Sequence, residues 1–168
     1  GKVNFEQFYK IPYQKDKTSP IVNDYEAQKK RLKELMEDSV RLRMVSDVPL
    51  GAFLSGGIDS SVVVSQAAKF TKNLNTFSIG FADNEFFDET QYANIVAKKY
   101  QTNHTVFKLK NEELFESLQE ILDYIDEPFA DSSALLVNLL SKYTRKHVTV
   151  ALSGDAGDEL FAGYNKHH

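Results

Sequence analysis

Two short runs in this sequence combine small residues, hydroxyls and carboxylates at a spacing that suits polyphosphate chemistry. The first is Ser55-Gly56-Gly57-Ile58-Asp59-Ser60-Ser61. Its adjacent glycines allow a tight turn and close backbone approach, because neither carries a Cβ that would collide with a bound oxyanion. With a helix starting at this point, free amides, the helix dipole and the hydroxyls of Ser55, Ser60 and Ser61 form a nest for phosphate groups. The Walker pattern G-x-x-x-x-G-K-[ST] is absent and no lysine enters the turn, so a different mode of nucleotide cleavage is expected. The plain alternative is a Gly-Ser turn with a serine or aspartate helix cap, common among α/β proteins. Average residue usage gives S-G-G-x-D-S a chance occurrence on the order of 10⁻⁴ in a chain of this length.

The second run is Ser153-Gly154-Asp155-Ala156-Gly157-Asp158-Glu159-Leu160-Phe161-Ala162-Gly163-Tyr164. Three carboxylates crowd this turn, and together with Asp59 they would repel a triphosphate. A magnesium ion bridging Asp59 and Asp158 to phosphate oxygens removes that conflict and neutralises charge as pyrophosphate leaves. A solvated acidic loop capping a helix is the alternative, and the phosphate-type loop in the same chain tips the balance toward a metal.

Both runs require rigid elements behind them. Residues 50–54 read as a short buried strand after the break at Pro49, and a helix begins near Asp59 with Val62, Val63, Ala67 and Phe70 available for packing. The alternation repeats as strand 75–81, helix 89–100, strand 105–109, helices 112–125 and 134–145, and a last strand at 148–152. Strands alternating with helices imply an α/β fold, a mainly parallel twisted sheet with helices on both faces. Ligands of such sheets bind outside the carboxyl ends of strands, where strand order reverses, which directs attention to the loops after Leu54, Phe81, Leu109 and Leu152.

Ahead of this region, residues 1–23 are polar and aromatic, broken by Pro12 and Pro20, and read as a lead-in or linker to a domain over 24–168. Phe5, Phe8, Tyr9 and Tyr13 are expected to pack against neighbouring structure rather than to form a stacking platform. Asp24 can cap a helix whose Leu32, Leu35, Met36, Val40 and Met44 recur at helical spacing and should lie on the core.

With 168 residues, 42% hydrophobic and 26% charged, the chain is sized for one globular domain. Its net charge of -4 supplies no basic footprint for nucleic acid or for a membrane surface. The absence of cysteine excludes disulfides and a cysteine nucleophile within these residues. No apolar stretch approaches the ~20 residues of a membrane span, and no signal segment opens the chain, so a cytoplasmic setting is the expectation. His104 and His147, at strand boundaries, read as surface or capping histidines, and His167-His168 as native residues or a tag remnant without a metal site.

The first run resembles the pyrophosphate loop of the N-type ATP pyrophosphatases, which share a HUP/Rossmann-like fold and split ATP between its α and β phosphates. The second is similar to S-G-[DE]-G-x-D-E-x-F-x-G-Y, the signature of asparagine synthetases and relatives such as β-lactam synthetases. Ser46-Asp47-Val48-Pro49-Leu50-Gly51-Ala52-Phe53-Leu54 and Asp126-Glu127-Pro128-Phe129-Ala130-Asp131-Ser132-Ser133 also look like segments of the glutamine-dependent enzymes.

The resemblance implies that Leu54, Ile79, Ser153 and Gly154 contact the adenosine part of ATP, chiefly through backbone groups. It implies that Ser55, Gly56, Gly57, Asp59, Ser60 and Ser61 hold the phosphates and that Asp59 and Asp158 bind magnesium. Asp155 takes the place of the acid associated with the amino-acid substrate, and Glu159 is assigned with it to catalysis. The implied reaction is adenylation of aspartate to β-aspartyl-AMP, then displacement of AMP by glutamine-derived ammonia. A related amidotransferase acting on another carboxylate, or a non-catalytic nucleotide-binding module, are the alternatives. Asp155 is one methylene shorter than the glutamate of many members, and Ala156 stands where glycine is frequent. The family also has an N-terminal glutaminase domain and a further helical region, which implies an excised segment, inactive alone, whose exposed apolar surface would favour a homodimer.

Overall fold

The computed structural model describes residues 2–9, 24–83, 88–127 and 130–164. It divides into two compact units, Gly1–Glu34 and Leu35–His168. In the first, α1 (Tyr25–Arg43) begins. Asp24 caps it as expected, its carboxylate accepting the Ala27 N–H at 2.9 Å. Phe5, Phe8 and Tyr9 are exposed. Their expected packing is therefore not found among the described residues, and Tyr13, Pro12 and Pro20 lie outside them.

The second unit contains a four-stranded sheet, β1 (Leu50–Phe53), β2 (Asn75–Phe81), β3 (Asn103–Leu109) and β4 (Val150–Leu152), in the order β3-β2-β1-β4. All three strand pairings are parallel. Connections run through α2 (Ile58–Ala67), α3 (Thr90–Tyr100), then α4 (Asn111–Tyr124) and α5 (Ser133–Thr144), and α6 (Gly157–Phe161) follows β4. The chain steps outward from β1 to β3 and then returns past β1 to β4. A constant crossover hand thus requires the outward helices and the returning pair to lie on opposite faces.

The packing agrees. On one face Ala52 and Leu54 pack with Val40, Val64, Ala67, Leu74, Ala93 and Ala97, drawn from the end of α1, from α2, from the residue before β2 and from α3. On the other, Phe77 of β2 stacks on Phe107 of β3 at 6.0 Å, and Phe107 meets Tyr143 of α5 at 5.3 Å. Tyr143 in turn donates to Glu113 of α4 at 3.1 Å, tying the two returning helices together. Leu32 and Leu35 are exposed, so only the C-terminal part of α1's apolar stripe, Val40 with Met44, packs on the core. Among the described residues no helix is long and apolar enough to cross a membrane.

Strand β3 starts at Asn103, earlier than its apolar run suggests, which corrects the reading of His104 as a boundary residue. The imidazole is half-buried, with Nδ1 2.9 Å from the Thr76 hydroxyl and Nε2 3.1 Å from the Ser78 hydroxyl. Burial lowers its pKa, opposed by the Thr76 contact. His147 is exposed, as expected, although its ring lies 5.5 Å from that of Phe77. His167-His168 fall outside the described residues.

Candidate active site

The point at which strand order reverses falls between β1 and β4. Their register pairs Ala52 with Leu152, so the two strands end side by side and their following turns leave the sheet at the same edge. Leu54 extends β1 by one more bond, donating its N–H to the Phe77 carbonyl at 2.8 Å. It is fully buried in the core.

The first turn is internally bonded. Ser55 and Ser60 hydroxyls lie 2.9 Å apart, and the Ser55 hydroxyl accepts the Gly57 N–H at 3.2 Å. Ser61 donates its hydroxyl back to the Gly57 carbonyl at 2.6 Å, the i−4 bond common to serine in a first helical turn. Gly57 is the N-cap of α2, in extended conformation and without a side-chain cap. The N-terminal amides of α2 therefore open toward the turn.

The second turn docks on the first through glycine. A Cβ on Gly154 would lie 2.7 Å from the Ser60 nitrogen and 2.9 Å from the Asp59 carbonyl carbon, so its Cα rests directly on the backbone that begins α2. A Cβ on Gly157 would collide with the Asp59 carboxylate, which places that carboxylate against the start of α6. Asp155 accepts the Ser153 hydroxyl at 2.8 Å. Ala156 adopts a left-handed conformation with φ 70°, the conformation that glycine adopts without a steric penalty.

These turns border a cleft of about 670 Å³, within the range of small-molecule sites. Leu54, Ser55, Gly57, Asp59, Ser60, Ile79, Ser153, Gly154, Asp155 and Asp158 all line it. Of the residues singled out from the sequence, Gly56, Ser61 and Glu159 do not. Gly56 faces α3, Ser61 is turned back on its own helix, and Glu159 accepts the Tyr164 phenol at 2.7 Å. That bond, reinforced by burial and neighbouring carboxylate charge, pushes the Tyr164 pKa up to about 12.

The cleft also has an apolar half that the motifs did not reveal. Phe53, Phe77, Phe81 and Ala151 come from the sheet, Leu136, Val137 and Leu140 from α5 and Ile58 from the start of α2, with Ser78 and Glu89 completing the lining. The strand members alternate with core-facing neighbours and so share the α5 face. Period-two alternation could have found them, whereas the α5 residues are indistinguishable in sequence from ordinary core positions. One part of the cleft is thus apolar and lined by aromatic and aliphatic side chains. The other presents amides, hydroxyls and carboxylates.

The family model for asparagine synthase matches residues 31–168. The chain is 38% identical over 165 residues to asparagine synthetase [glutamine-hydrolyzing] 1 of Bacillus subtilis, covering 98% of this chain and 25% of that protein. It is 47% identical over 137 residues to a putative asparagine synthetase [glutamine-hydrolyzing] 2 of Methanocaldococcus jannaschii, covering 80% of this chain and 26% of that one. It therefore spans about a quarter of the length of these relatives. Among solved structures it resembles an NH3-dependent NAD synthetase from Campylobacter jejuni, with TM-score 0.53 at 16% identity over 81% of this chain and 60% of that one. An NMN synthetase from Francisella tularensis gives TM-score 0.52 at 18% identity over 83% and 58%. At those identities the likeness concerns the fold, which is that of the ATP pyrophosphatases. With its two turns at one sheet edge and the family match running from Arg31 to the last residue, this chain belongs to the asparagine synthase family.

Proposed function

We propose that this chain is the ATP-binding part of an amide ligase that adenylates a carboxylate, in the first instance aspartate, and forms asparagine with ammonia released from glutamine. The observation that supports this best is the two-ended cleft. Its apolar half suits a purine, and its polar half, formed by Ser55, Gly57, Ser60 and the start of α2, suits the phosphates. Leu54, Ile79, Ser153 and Gly154 would meet the adenosine. Gly56 and Ser61 contribute by shaping the phosphate loop.

A carboxylate is a poor electrophile. Attack of its oxygen on the α-phosphorus breaks the bond to pyrophosphate and leaves an acyl-adenylate. Ammonia then attacks the carbonyl carbon, AMP departs with the bonding pair, and the amide sheds a proton. Asp155 and Glu159 are the acids we assign to the amino-acid end, with Asp155 at the cleft itself.

Asp59 and Asp158 are the residues that would hold magnesium. They reach one cleft from separate strand ends, and among the described residues no group of three or more ligating side chains surrounds them. That donor set fits an ion that takes one or two carboxylates and fills its shell with water and substrate phosphates. When bound, magnesium would neutralise the phosphates and the departing pyrophosphate. The ammonia source would be a glutaminase domain in a longer protein, and the setting cytoplasmic.

Titrating ATP with and without magnesium into wild type and Asp59→Ala tests the reading. Binding should require the metal and disappear in the variant; equal affinities under all four conditions would refute it. A second reading, an amidotransferase for another carboxylate, draws on the short Asp155 and its bond to Ser153. Product analysis with aspartate against other acids separates the two.

A further inference from the structure

The first glycine of the phosphate loop faces away from the cleft. Gly56 has φ 91°, and a Cβ there would lie 2.6 Å from the Ala93 nitrogen, 2.6 Å from the Tyr92 Cβ and 2.9 Å from the Tyr92 carbonyl carbon. The loop therefore rests directly on the first turn of α3, on the backbone of Tyr92 and Ala93 and on the Tyr92 Cβ. Ala93 is fully buried in the core cluster with Ala52, Leu54 and Val64, which fixes α3 against the sheet. Opposite, Gly154 presses on the start of α2. The loop is clamped from both sides by contacts that only a residue without a Cβ permits.

We infer that Tyr92 and Ala93 are positioning residues for phosphate binding: the first turn of α3 is the rear wall that holds Gly56 and Gly57 in the conformation presented to the cleft. This inference rests on the nucleotide reading above and adds to it a requirement outside the two motifs. Neither residue lines the cleft, so their effect passes through the loop alone. The phosphate end should be affected and the adenosine end spared, because Phe77, Ile79 and Phe81 belong to β2 and Leu136, Val137 and Leu140 to α5, none of which Gly56 touches.

Two substitutions of opposite sense test this. Ala93→Val adds bulk between α3 and its neighbours, and Tyr92→Gly, at a position 53% exposed, removes the Cβ behind Gly56. Ala97→Val, one turn further along the same buried face, is the control for general loosening of α3. Affinities for magnesium pyrophosphate and for adenosine are measured by calorimetry on this chain, with circular dichroism to confirm folding. Ala93→Val, through the usual penalty for overpacking a close contact, and Tyr92→Gly, through loss of the support behind Gly56, should each weaken pyrophosphate binding by about tenfold and leave adenosine within about twofold. Ala97→Val should alter neither ratio. Unchanged pyrophosphate affinity in Tyr92→Gly, or equal losses for both ligands, overturns the inference while the nucleotide reading stands. Wild type that binds magnesium pyrophosphate at no measurable level overturns both.

Discussion

Gly154→Ala isolates the contact that joins the two turns bordering the cleft. The added methyl carbon would lie 2.7 Å from the Ser60 nitrogen, 2.9 Å from the Asp59 carbonyl carbon and 3.0 Å from the Asp59 Cβ. Two of these three atoms are backbone at the start of α2, so no rotamer change relieves the overlap and the turns themselves must separate. Forcing a methyl into such a contact costs about 1–3 kcal/mol. The backbone at Gly154 does not have positive φ, so alanine meets no conformational penalty there and recovers about 0.4–1 kcal/mol by restricting the unfolded chain. The net destabilisation is up to about 2.6 kcal/mol, which for a domain of this size lowers the melting temperature by up to roughly 10 °C. Gly57→Ala is the internal comparison, because its methyl would meet only the Ser55 hydroxyl at 3.4 Å and should leave the melting temperature within about 2 °C of wild type. Thermal denaturation followed by circular dichroism, together with magnesium-ATP titration, measures both variants. Separation of the turns should also weaken nucleotide binding about tenfold in Gly154→Ala. Wild-type melting and wild-type affinity in that variant would refute the argument that this glycine docks one turn on the other.

Ala156→Gly should stabilise the chain by about 0.5–1 kcal/mol, since it relieves an alanine held at φ 70° and offsets only part of that gain through unfolded-state entropy; chemical denaturation checks it. Ser60→Ala should cost about 1 kcal/mol in the same assay, because a buried hydroxyl bonded to Ser55 and to the Gly57 carbonyl is removed. His104 introduces a pH dependence. Its folded pKa lies below the ordinary 6.5, so the unfolded chain binds the proton more readily. The associated stability is fully present above pH 6.5 and is lost as pH falls through 6.5 toward the folded value. Urea melts across that window should show the slope in wild type and not in His104→Asn; identical slopes would remove His104 as its source.

The sequence alone determined the alternation of strands and helices, because apolar periodicity and the breaks at Pro49 and the glycine turns are local properties of the chain. It also identified both turns, since a phosphate nest and an acidic cluster need particular residue types at close spacing. Strand β2 was legible to the residue. The start of β3 was not, because Asn103 and His104 have weak strand preference and are held by pairing with Asn75 and Thr76. Leu32 and Leu35 carried a helical stripe but are exposed among the described residues.

What only the tertiary structure decided is how distant segments meet. The in-register ending of β1 and β4 brings Asp59 and Asp158, far apart in the chain, onto one cleft. Leu136, Val137 and Leu140 became cleft residues because the return path lays α5 over the sheet, and Tyr92 and Ala93 became the wall behind Gly56 because α3 packs there. Periodicity says which side of an element is apolar, but the element that covers it is set by long-range pairing, whose partners leave no mark in the local sequence.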